Sequence, residues 1–182
     1  MVSKSFEEST KNIGGITMFN NWIANNKMKK LLKYISDHPS VENLGFNFLE
    51  LYDLFFPKFK KVKDCIIIAE ESVDELEMFF DKVMKTYKYK IWYEFYNTET
   101  RIDCHFEGEV SMIAGTQIAL IALEIWALKL KQMEPDSKFY LILFSNEDHV
   151  EIRFHKFREN EGTFFTDDLD SYHNSAVGYV IV

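Results

Sequence analysis

The sequence predicts an α+β fold, with a mostly antiparallel sheet of five or six strands and helices packed on one face. Arg101–Glu107 and His149–Phe157 alternate apolar and polar residues, as strands with one covered face do. Other segments repeat apolar residues at helical spacing, and short turns between neighbouring strands favour antiparallel pairing. Because no linker-like stretch interrupts the chain, we expect a single domain over residues 1–182, with residues 1–12 loosely ordered.

The first half of the chain is predicted to be mainly helical. Its predicted elements, in order, are a helix over Thr17–Ser36, a short helix over Phe48–Phe56, a strand over Val62–Ala69 and a helix over Val73–Tyr87. The first two helices are each followed by a proline, which cannot continue a helix. The third follows an S-x-x-E capping box made by Ser72 and Glu75, and its apolar residues recur at helical spacing.

Two hairpins and an apolar helix are predicted for the second half. Its elements, in order, are strands over Tyr89–Tyr96 and Arg101–Glu107, a helix over residues 110–133, strands over Lys138–Phe144 and His149–Phe157, and a last strand over Val177–Val182. Aromatic and β-branched residues dominate the first of these strands, which favours extended structure. Short polar segments between the paired strands supply the turns.

The apolar segment Val110–Leu128 has the composition of a possible membrane span. Its nineteen residues approach the length that crosses a bilayer. It contains Glu124, whose charge is costly in hydrocarbon, and the polar residues Ser111, Thr116 and Gln117. We therefore expect a central helix that the rest of the domain buries, and no membrane partner.

The charge balance indicates the kind of partner. With 21 Lys and Arg against 29 Asp and Glu, the formal net charge is −8. Such a chain repels phosphate backbones, so we expect no nucleic-acid partner, whereas opposite fields favour a basic protein. Cys65 and Cys104 lie in apolar runs and are expected to be buried free thiols rather than a disulfide framework. Reduced thiols and the lack of a secretory signal predict a cytoplasmic protein.

Two groups of residues are candidates for a partner-binding surface. The first is the polar face of the predicted sheet, with Asp103, His105 and Glu107 from one hairpin and Glu151, Arg153 and His155 from the other. The second is an acidic loop interleaved with aromatic residues, in which the candidates are Glu159, Glu161, Asp167, Asp168, Asp170 and Tyr172. Carboxylates can pair with lysine and arginine of a partner, and aromatic rings can anchor in its pockets.

Signatures of catalysis are weak in this sequence. It has no glycine-rich phosphate-binding loop and no G-x-S-x-G nucleophile motif, and its five histidines lack the spacing typical of metal ligands. We therefore expect no catalytic residue, no metal and no cofactor. Two alternatives stay open. One is a metal-dependent hydrolase that uses His and carboxylates of an exposed sheet face; the other is a small-molecule-binding or structural subunit with an aromatic cavity near Trp92, Tyr93 and Trp126.

The residues favour a non-enzymatic acidic binding protein that occludes a basic protein partner. In general description the chain resembles bacterial immunity proteins, which are small, acidic and cytoplasmic, and which cover the active or nucleic-acid-binding surface of a toxin. The resemblance is one of type alone, so it transfers no motif and no residue. It implies a toxin domain as the partner and carboxylates that compete with phosphates for its cationic groove.

Overall fold

The computed structural model describes residues 21–38, 48–106 and 109–182, with side chains in the second range from Leu51 onward. The described elements, in order, are β1 (Ile23–Ala24), α1 (Asn26–Asp37), α2 (Phe48–Phe55), β2 (Phe59–Val62), β3 (Cys65–Ile68), α3 (Val73–Val83), α4 (Lys90–Tyr96), β4 (Thr100–Arg101), α5 (Met112–Met133), β5 (Phe139–Ser145), β6 (Val150–Lys156) and β7 (Ala176–Ile181). Short 3-10 helices cover Asp103–His105 and Leu169–Ser171. These helices and a five-stranded antiparallel sheet confirm the predicted α+β fold.

The main sheet has the strand order β1-β7-β5-β6-β4, and each neighbouring pair is antiparallel. β5 and β6 form the predicted second hairpin, in register from Phe139 opposite Lys156 to Ser145 opposite Val150. β7 is the predicted last strand, and it pairs with the other edge of β5. The predicted strand Val62–Ala69 is found as β3, which pairs with β2 in a separate two-stranded sheet that the sequence did not predict.

Helix α5 packs on β5 and β6 and forms the centre of the core. Twelve of its 22 residues are buried, so the expected burial of this helix is confirmed. Trp126 is fully buried, and its indole nitrogen donates to the backbone oxygen of Leu54 in α2 at 3.0 Å. By length and hydropathy the helix could cross a membrane, but 67% of its most apolar window is buried inside the chain.

Helix α1 begins later than the sequence predicts. Asn25 is its N-cap, since the side-chain oxygen of Asn25 accepts a hydrogen bond from the backbone nitrogen of Met28 at 2.9 Å. The two residues before Asn25 pair with β7 as β1, which fixes the helix start at Asn26. The predictions for residues 1–12 and for a helix start at Thr17 fall outside the described residues.

Helices α2 and α3 are found where the sequence predicts them. The capping box of α3 is present, because Ser72 accepts from the backbone of Glu75 while the Glu75 carboxylate accepts from the backbone of Ser72. α3 ends at Val83 rather than at Tyr87, and α2 ends at Phe55. Local signals that lie inside a helix or next to it thus placed both helices correctly.

The predicted strand Tyr89–Tyr96 is wrong, because this segment forms α4. Its aromatic residues favour a strand by propensity, but the helix buries Ile91, Tyr93 and Phe95 against the rest of the chain. The carboxylate of Glu161 also accepts a hydrogen bond from the backbone nitrogen of Ile91 at 2.9 Å, which satisfies the helix N-terminus. Contacts that are distant in sequence therefore override the local preference.

The predicted strand Arg101–Glu107 is largely wrong as well. Only its first residue belongs to a strand, β4, which pairs with β6. Beyond β4 the chain turns so that Ile102 becomes fully buried and Asp103–His105 forms a 3-10 helix, which interrupts the two-residue alternation. Glu107 lies outside the described residues.

β4 pairs only with Glu151 and Ile152 of β6, and side chains form hydrogen bonds with the backbone further along the same edge of β6. The hydroxyl of Thr98 donates to the backbone oxygen of Phe154 at 2.8 Å and accepts from the backbone nitrogen of Phe154 at 3.1 Å. Two residues further along, a Glu94 oxygen accepts from the backbone nitrogen of Lys156 at 2.8 Å. These contacts take the place of a neighbouring strand.

The sheet face opposite α5 is covered, although the sequence predicted that it meets water or a partner. Sheet residues pack there under residues of α4 and of the loop before β7, forming a second buried cluster of Tyr140, Ile142, Val177, Phe95, Phe165 and Leu169. The short helix and an aromatic loop thus complete the fold on the side that the long helices leave open.

Candidate functional site

The polar residues of β6 point away from α5, as the alternation predicts, but they do not reach a free surface. Glu151, Arg153 and His155 are only 7%, 8% and 0% exposed, because α4 and the loop after β6 cover them. The predicted exposure of this sheet face is therefore not found at these three residues, and their partner-binding role stays a prediction. Alternation identifies the direction of a side chain, whereas its exposure depends on which distant segment packs over it.

Arg153 uses its hydrogen-bonding groups within the chain. Its guanidinium forms ion pairs with Glu151 and with Glu99, the latter at 2.7 Å, and donates to the backbone oxygen of Phe95 at 3.1 Å. It also lies 4.2 Å from the centroid of the Phe95 ring. His149 adds a contact to the network, with its Nε2 atom 3.7 Å from Glu151. This arrangement holds α4 and β6 together.

His155 is a core residue. Its ring stacks on Tyr140, with centroids 4.8 Å apart, and burial lowers the pKa of His155 to about 4. The imidazole is therefore neutral at pH 7. Its Nε2 atom has no hydrogen-bond partner among the described residues.

The predicted residues around β4 lie on an irregular segment. Asp103 is half-buried and forms an ion pair with Arg101 at 2.7 Å. His105 is half-buried in the same 3-10 helix and borders a groove of about 430 Å³ that both acidic and basic side chains line.

The two cysteines differ in exposure. Cys104, in the same 3-10 helix, is exposed, contrary to the expected burial. Cys65 is buried as expected, and that burial raises its pKa to about 12.

The acidic loop, residues 159–172, carries five carboxylates and no lysine or arginine, a formal charge of −5. Three of these carboxylates serve the fold. Glu161 accepts from the backbone at the start of α4, as described above. Asp170 accepts from both the backbone nitrogen and the side chain of Asn26 at the start of α1, at 2.8 and 2.9 Å. Asp168 accepts from the backbone of Asp170 at 3.0 Å and caps the 3-10 helix.

Carboxylates of the loop are bound at helix N-termini because the first backbone N–H groups of a helix have no partner inside it. The remaining carboxylates, Glu159 and Asp167, are exposed and make no ion pair within the described part of the chain. Tyr172 is half-buried among aromatic rings, 6.0 Å from Phe165. A groove of about 330 Å³ remains on this side, and its lining includes Asp167, Asp168, Asp170, Thr163 and Thr166.

A second acidic surface, on α3, was not among the predicted sites. Residues 70–85 carry six carboxylates and two lysines, a formal charge of −4. One side of α3 packs Leu76 and Phe80 against the β2–β3 unit and α4, with the rings of Phe80 and Tyr93 5.1 Å apart. The opposite side is open: Met78 is 77% exposed and Phe79 is 57% exposed.

Carboxylates lie on both sides of Met78 along the helix, while Phe79 lies between Glu75 and exposed Lys82. Asp74 and Glu75 lie one helical turn before Met78, and Asp81 lies one turn after it. Asp74 and Asp81 are exposed and make no ion pair within the described ranges, while Glu75 is held by the capping box. We call this surface the α3 face and define it by Glu71, Asp74, Glu75, Met78, Phe79 and Asp81.

The sequence contains a signal for the α3 face. Met78, Phe79 and Phe80 are consecutive, and consecutive helical residues point about 100° apart. A helix that buries one stripe cannot bury all three of them. Leu76, Phe79, Phe80 and Val83 fit one helical stripe, so the pattern identifies Met78 as a surface residue but not Phe79.

An ion network connects the β2–β3 unit to the main sheet. Glu94 is fully buried; it accepts from the backbone nitrogen of Ile66 at 3.0 Å and from Arg158 at 2.8 Å. Asp64 pairs with Lys156 at 2.7 Å and with Arg158 at 3.1 Å. Partial burial raises the pKa of Asp64, but hydrogen bonds from the two cations outweigh it and hold that pKa well below its ordinary value. We interpret this network as structural, since its groups satisfy one another.

The residues proposed for a metal-dependent hydrolase do not come together. His155 is buried against Tyr140, His149 contacts Glu151, and His105 lies on the segment after β4. Within residues 21–38, 48–106 and 109–182, no group of three or more His, Cys, Asp or Glu side chains is arranged to hold a metal ion.

Comparison with known proteins gives a family. No curated protein and no solved structure matches the chain. The sequence model of one family matches residues 23–181, which takes in both the main sheet and the α3 face. Because this match covers most of the sequence, the chain belongs to the Uncharacterized protein PM0498 family.

Proposed function

We propose that the chain is a cytoplasmic, non-enzymatic acidic binding protein that occludes a basic protein partner, in the manner of an immunity protein that inhibits a toxin. The observation that carries the proposal is the uneven distribution of charge. The acidic loop has a formal charge of −5 and residues 70–85 have −4, so the rest of the chain is nearly neutral against a total of −8. Concentrated negative charge attracts cationic surfaces and speeds their encounter.

Exposed apolar side chains beside the acidic groups support the proposal. Met78 and Phe79 lie among the carboxylates of the α3 face, and Ile23, 47% exposed, borders the acidic groove of the loop. Methionine and aromatic residues are enriched at protein interfaces, where they fill pockets of the partner. Charge would then guide the encounter, while the apolar contacts would slow dissociation.

Occlusion requires no reacting group in this protein. A basic partner that acts on nucleic acid binds phosphates through lysine and arginine, and the carboxylates of this chain would compete for the same cations. The partner loses activity because its cationic surface is covered. This account needs no metal, cofactor or catalytic side chain from the chain itself, and it involves neither a nucleic acid nor a membrane.

The test is to identify the partner and measure its binding. The full chain would be immobilised and exposed to extract from cells that naturally express it, and each captured protein would be identified, purified and measured separately. We expect a partner with an isoelectric point above about 9. Its association rate should fall steeply between about 50 and 500 mM salt, while its dissociation rate changes little. A neutral or acidic partner, or an association rate that is insensitive to salt, would contradict the proposal.

A further inference from the structure

The open side of α3 is a helix face with exposed apolar side chains that nothing in residues 21–38, 48–106 and 109–182 covers. Met78 and Phe79 leave most of their surface in water, whereas Leu76 and Phe80 on the other side of the same helix are packed. Removing such side chains from water is favourable, and the folded chain gains little of this from Met78 and Phe79. A second molecule that buries Met78 and Phe79 would therefore stabilise its complex with this chain.

We infer that the α3 face is the docking surface for the basic partner, whose contact region is an apolar pocket bordered by lysine and arginine. This inference rests on the proposed function and names the surface and the partner chemistry. Met78 and Phe79 are the anchors that enter the pocket. Asp74 and Asp81, which have no ion pair within the described part of the chain, are positioned to meet the cations at its border.

Charge complementarity distinguishes this face from an apolar groove on the same chain. That groove, between α2 and α5, has a volume of about 610 Å³ and exposes Tyr52, Phe56 and Leu128. Its border includes Lys129 and no carboxylate among the residues that line it, so it does not suit a cationic partner. It provides instead a comparison surface: exposed apolar side chains on α2 and α5 around a groove that Lys129, and no carboxylate, lines.

The acidic loop is also less suited than α3 to be the main contact. Its apolar residues Phe165 and Leu169 are turned into the core, and three of its five carboxylates already accept hydrogen bonds from the backbone. In the α3 segment Glu70 and Glu77 pair with Lys58 and Lys63 and Glu75 belongs to the capping box, but Asp74 and Asp81 beside exposed Met78 are not committed within the described residues. α3 is rigidly placed by its capping box and by Phe80, so its anchors can bind without ordering a flexible segment.

Site-specific crosslinking in cells that naturally express the chain tests the inference. A photoreactive phenylalanine, benzoylphenylalanine, would replace Phe79, and in separate variants Asp167 or Leu128. We expect light-dependent adducts from position 79 to one basic protein, identified by mass spectrometry, and none from position 128. Adducts from position 167 alone would overturn the docking surface but leave the proposed function standing. Absence of adducts to a basic protein at all three positions would overturn both.

Binding to the protein in that adduct, purified separately, gives the size of the effect. We expect Met78→Ser with Phe79→Ser to weaken binding by about 30-fold or more, chiefly through faster dissociation. Asp74→Asn with Asp81→Asn should slow association several-fold at low salt and reduce its salt dependence. Tyr52→Ser with Leu128→Ser on the control groove should leave binding unchanged. Equal losses from the control pair and the α3 pair would overturn the inference, and circular dichroism would verify that each variant remains folded.

Discussion

The acidic loop and the α3 segment carry nearly the same charge, −5 and −4, but the structure uses them differently. In the loop, Glu161 and Asp170 accept hydrogen bonds at the N-termini of α4 and α1, and Phe165 is buried. On α3, Asp74 and its neighbours face water and surround exposed Met78. Two segments of similar charge thus differ in how much of it serves the fold: three of the loop carboxylates accept backbone hydrogen bonds, whereas Asp74 and Asp81 of α3 face water.

The difference shows that a count of carboxylates does not identify a binding surface. An aspartate or glutamate close to a helix start is drawn to the unsatisfied N–H groups there, whichever element it comes from. Carboxylates on the exposed side of a packed helix do not lie next to unsatisfied N–H groups, so they face water. Mutations in the two regions should therefore differ in their effect on the free energy of unfolding.

The largest expected difference concerns aromatic side chains. Phe165 is 8% exposed and stacks on Tyr179 at 5.3 Å, so Phe165→Ala should lower the free energy of unfolding by about 3–4 kcal/mol. Phe79→Ala should change it by less than about 0.5 kcal/mol, because Phe79 is 57% exposed. Urea denaturation of both variants would measure this. Similar losses would mean that α3 is as much a part of the core as the loop is.

The second prediction concerns the buried imidazole of His155. The pKa of His155 is lowered by burial to about 4, so the unfolded chain binds more protons than the folded one between pH 6.5 and 4. Stability from this group is complete above pH 6.5 and is lost as the pH falls, by about 2–3 kcal/mol at pH 4.5. His155→Phe should remove this part of the pH dependence.

Chemical denaturation at pH 7 and pH 4.5 would compare wild type with His155→Phe, and His173→Phe would serve as a control because His173 is exposed. Wild type and His155→Phe have all other titratable groups in common, so the difference between their pH dependences reports on His155. Identical pH dependence in wild type and His155→Phe would mean that the imidazole of His155 is not held neutral by burial in the folded chain.

The smallest expected effect concerns single carboxylates. Asp170→Ala removes a hydrogen-bond acceptor from the start of α1 and should cost about 1–2 kcal/mol of stability. Asp170→Asn keeps an acceptor oxygen and should cost less. Asp74→Ala on α3 should change stability by less than about 0.5 kcal/mol. Thermal unfolding would rank the three variants, and an equal cost for Asp170→Ala and Asp74→Ala would remove the contrast between the regions.

Local signals predicted much of the fold. The capping box at Ser72 located the start of α3, and the alternation in His149–Phe157 located β6 and the direction of its side chains. The segment Tyr89–Tyr96 failed because its propensity favours a strand, while its helix depends on Glu161, which lies far along the chain. Sequence patterns do not report such long-range contacts.

The candidate site was harder to predict than the fold for the same reason. Arg153 and His155 were correctly placed on the polar side of β6, but the segment that buries them is distant in sequence. Asp170 was correctly placed in the loop, but its position next to Asn26 depends on how the chain folds back. In contrast, the exposure of Met78 follows from helix geometry, because Met78 lies outside the apolar stripe of α3, whereas Phe79 lies on that stripe and its exposure depends on what packs beside the helix.

The hydrogen bonds that Thr98 and Glu94 make along β6 also affect how molecules of this protein meet one another. An edge strand with unpaired backbone groups can recruit a strand from another chain and seed aggregates. Here the Thr98 hydroxyl occupies both backbone groups of Phe154, and Glu94 occupies the nitrogen of Lys156. An incoming strand would have to displace these side chains before it could add to the sheet, so the edge protects a concentrated solution of the protein from strand-to-strand polymerisation.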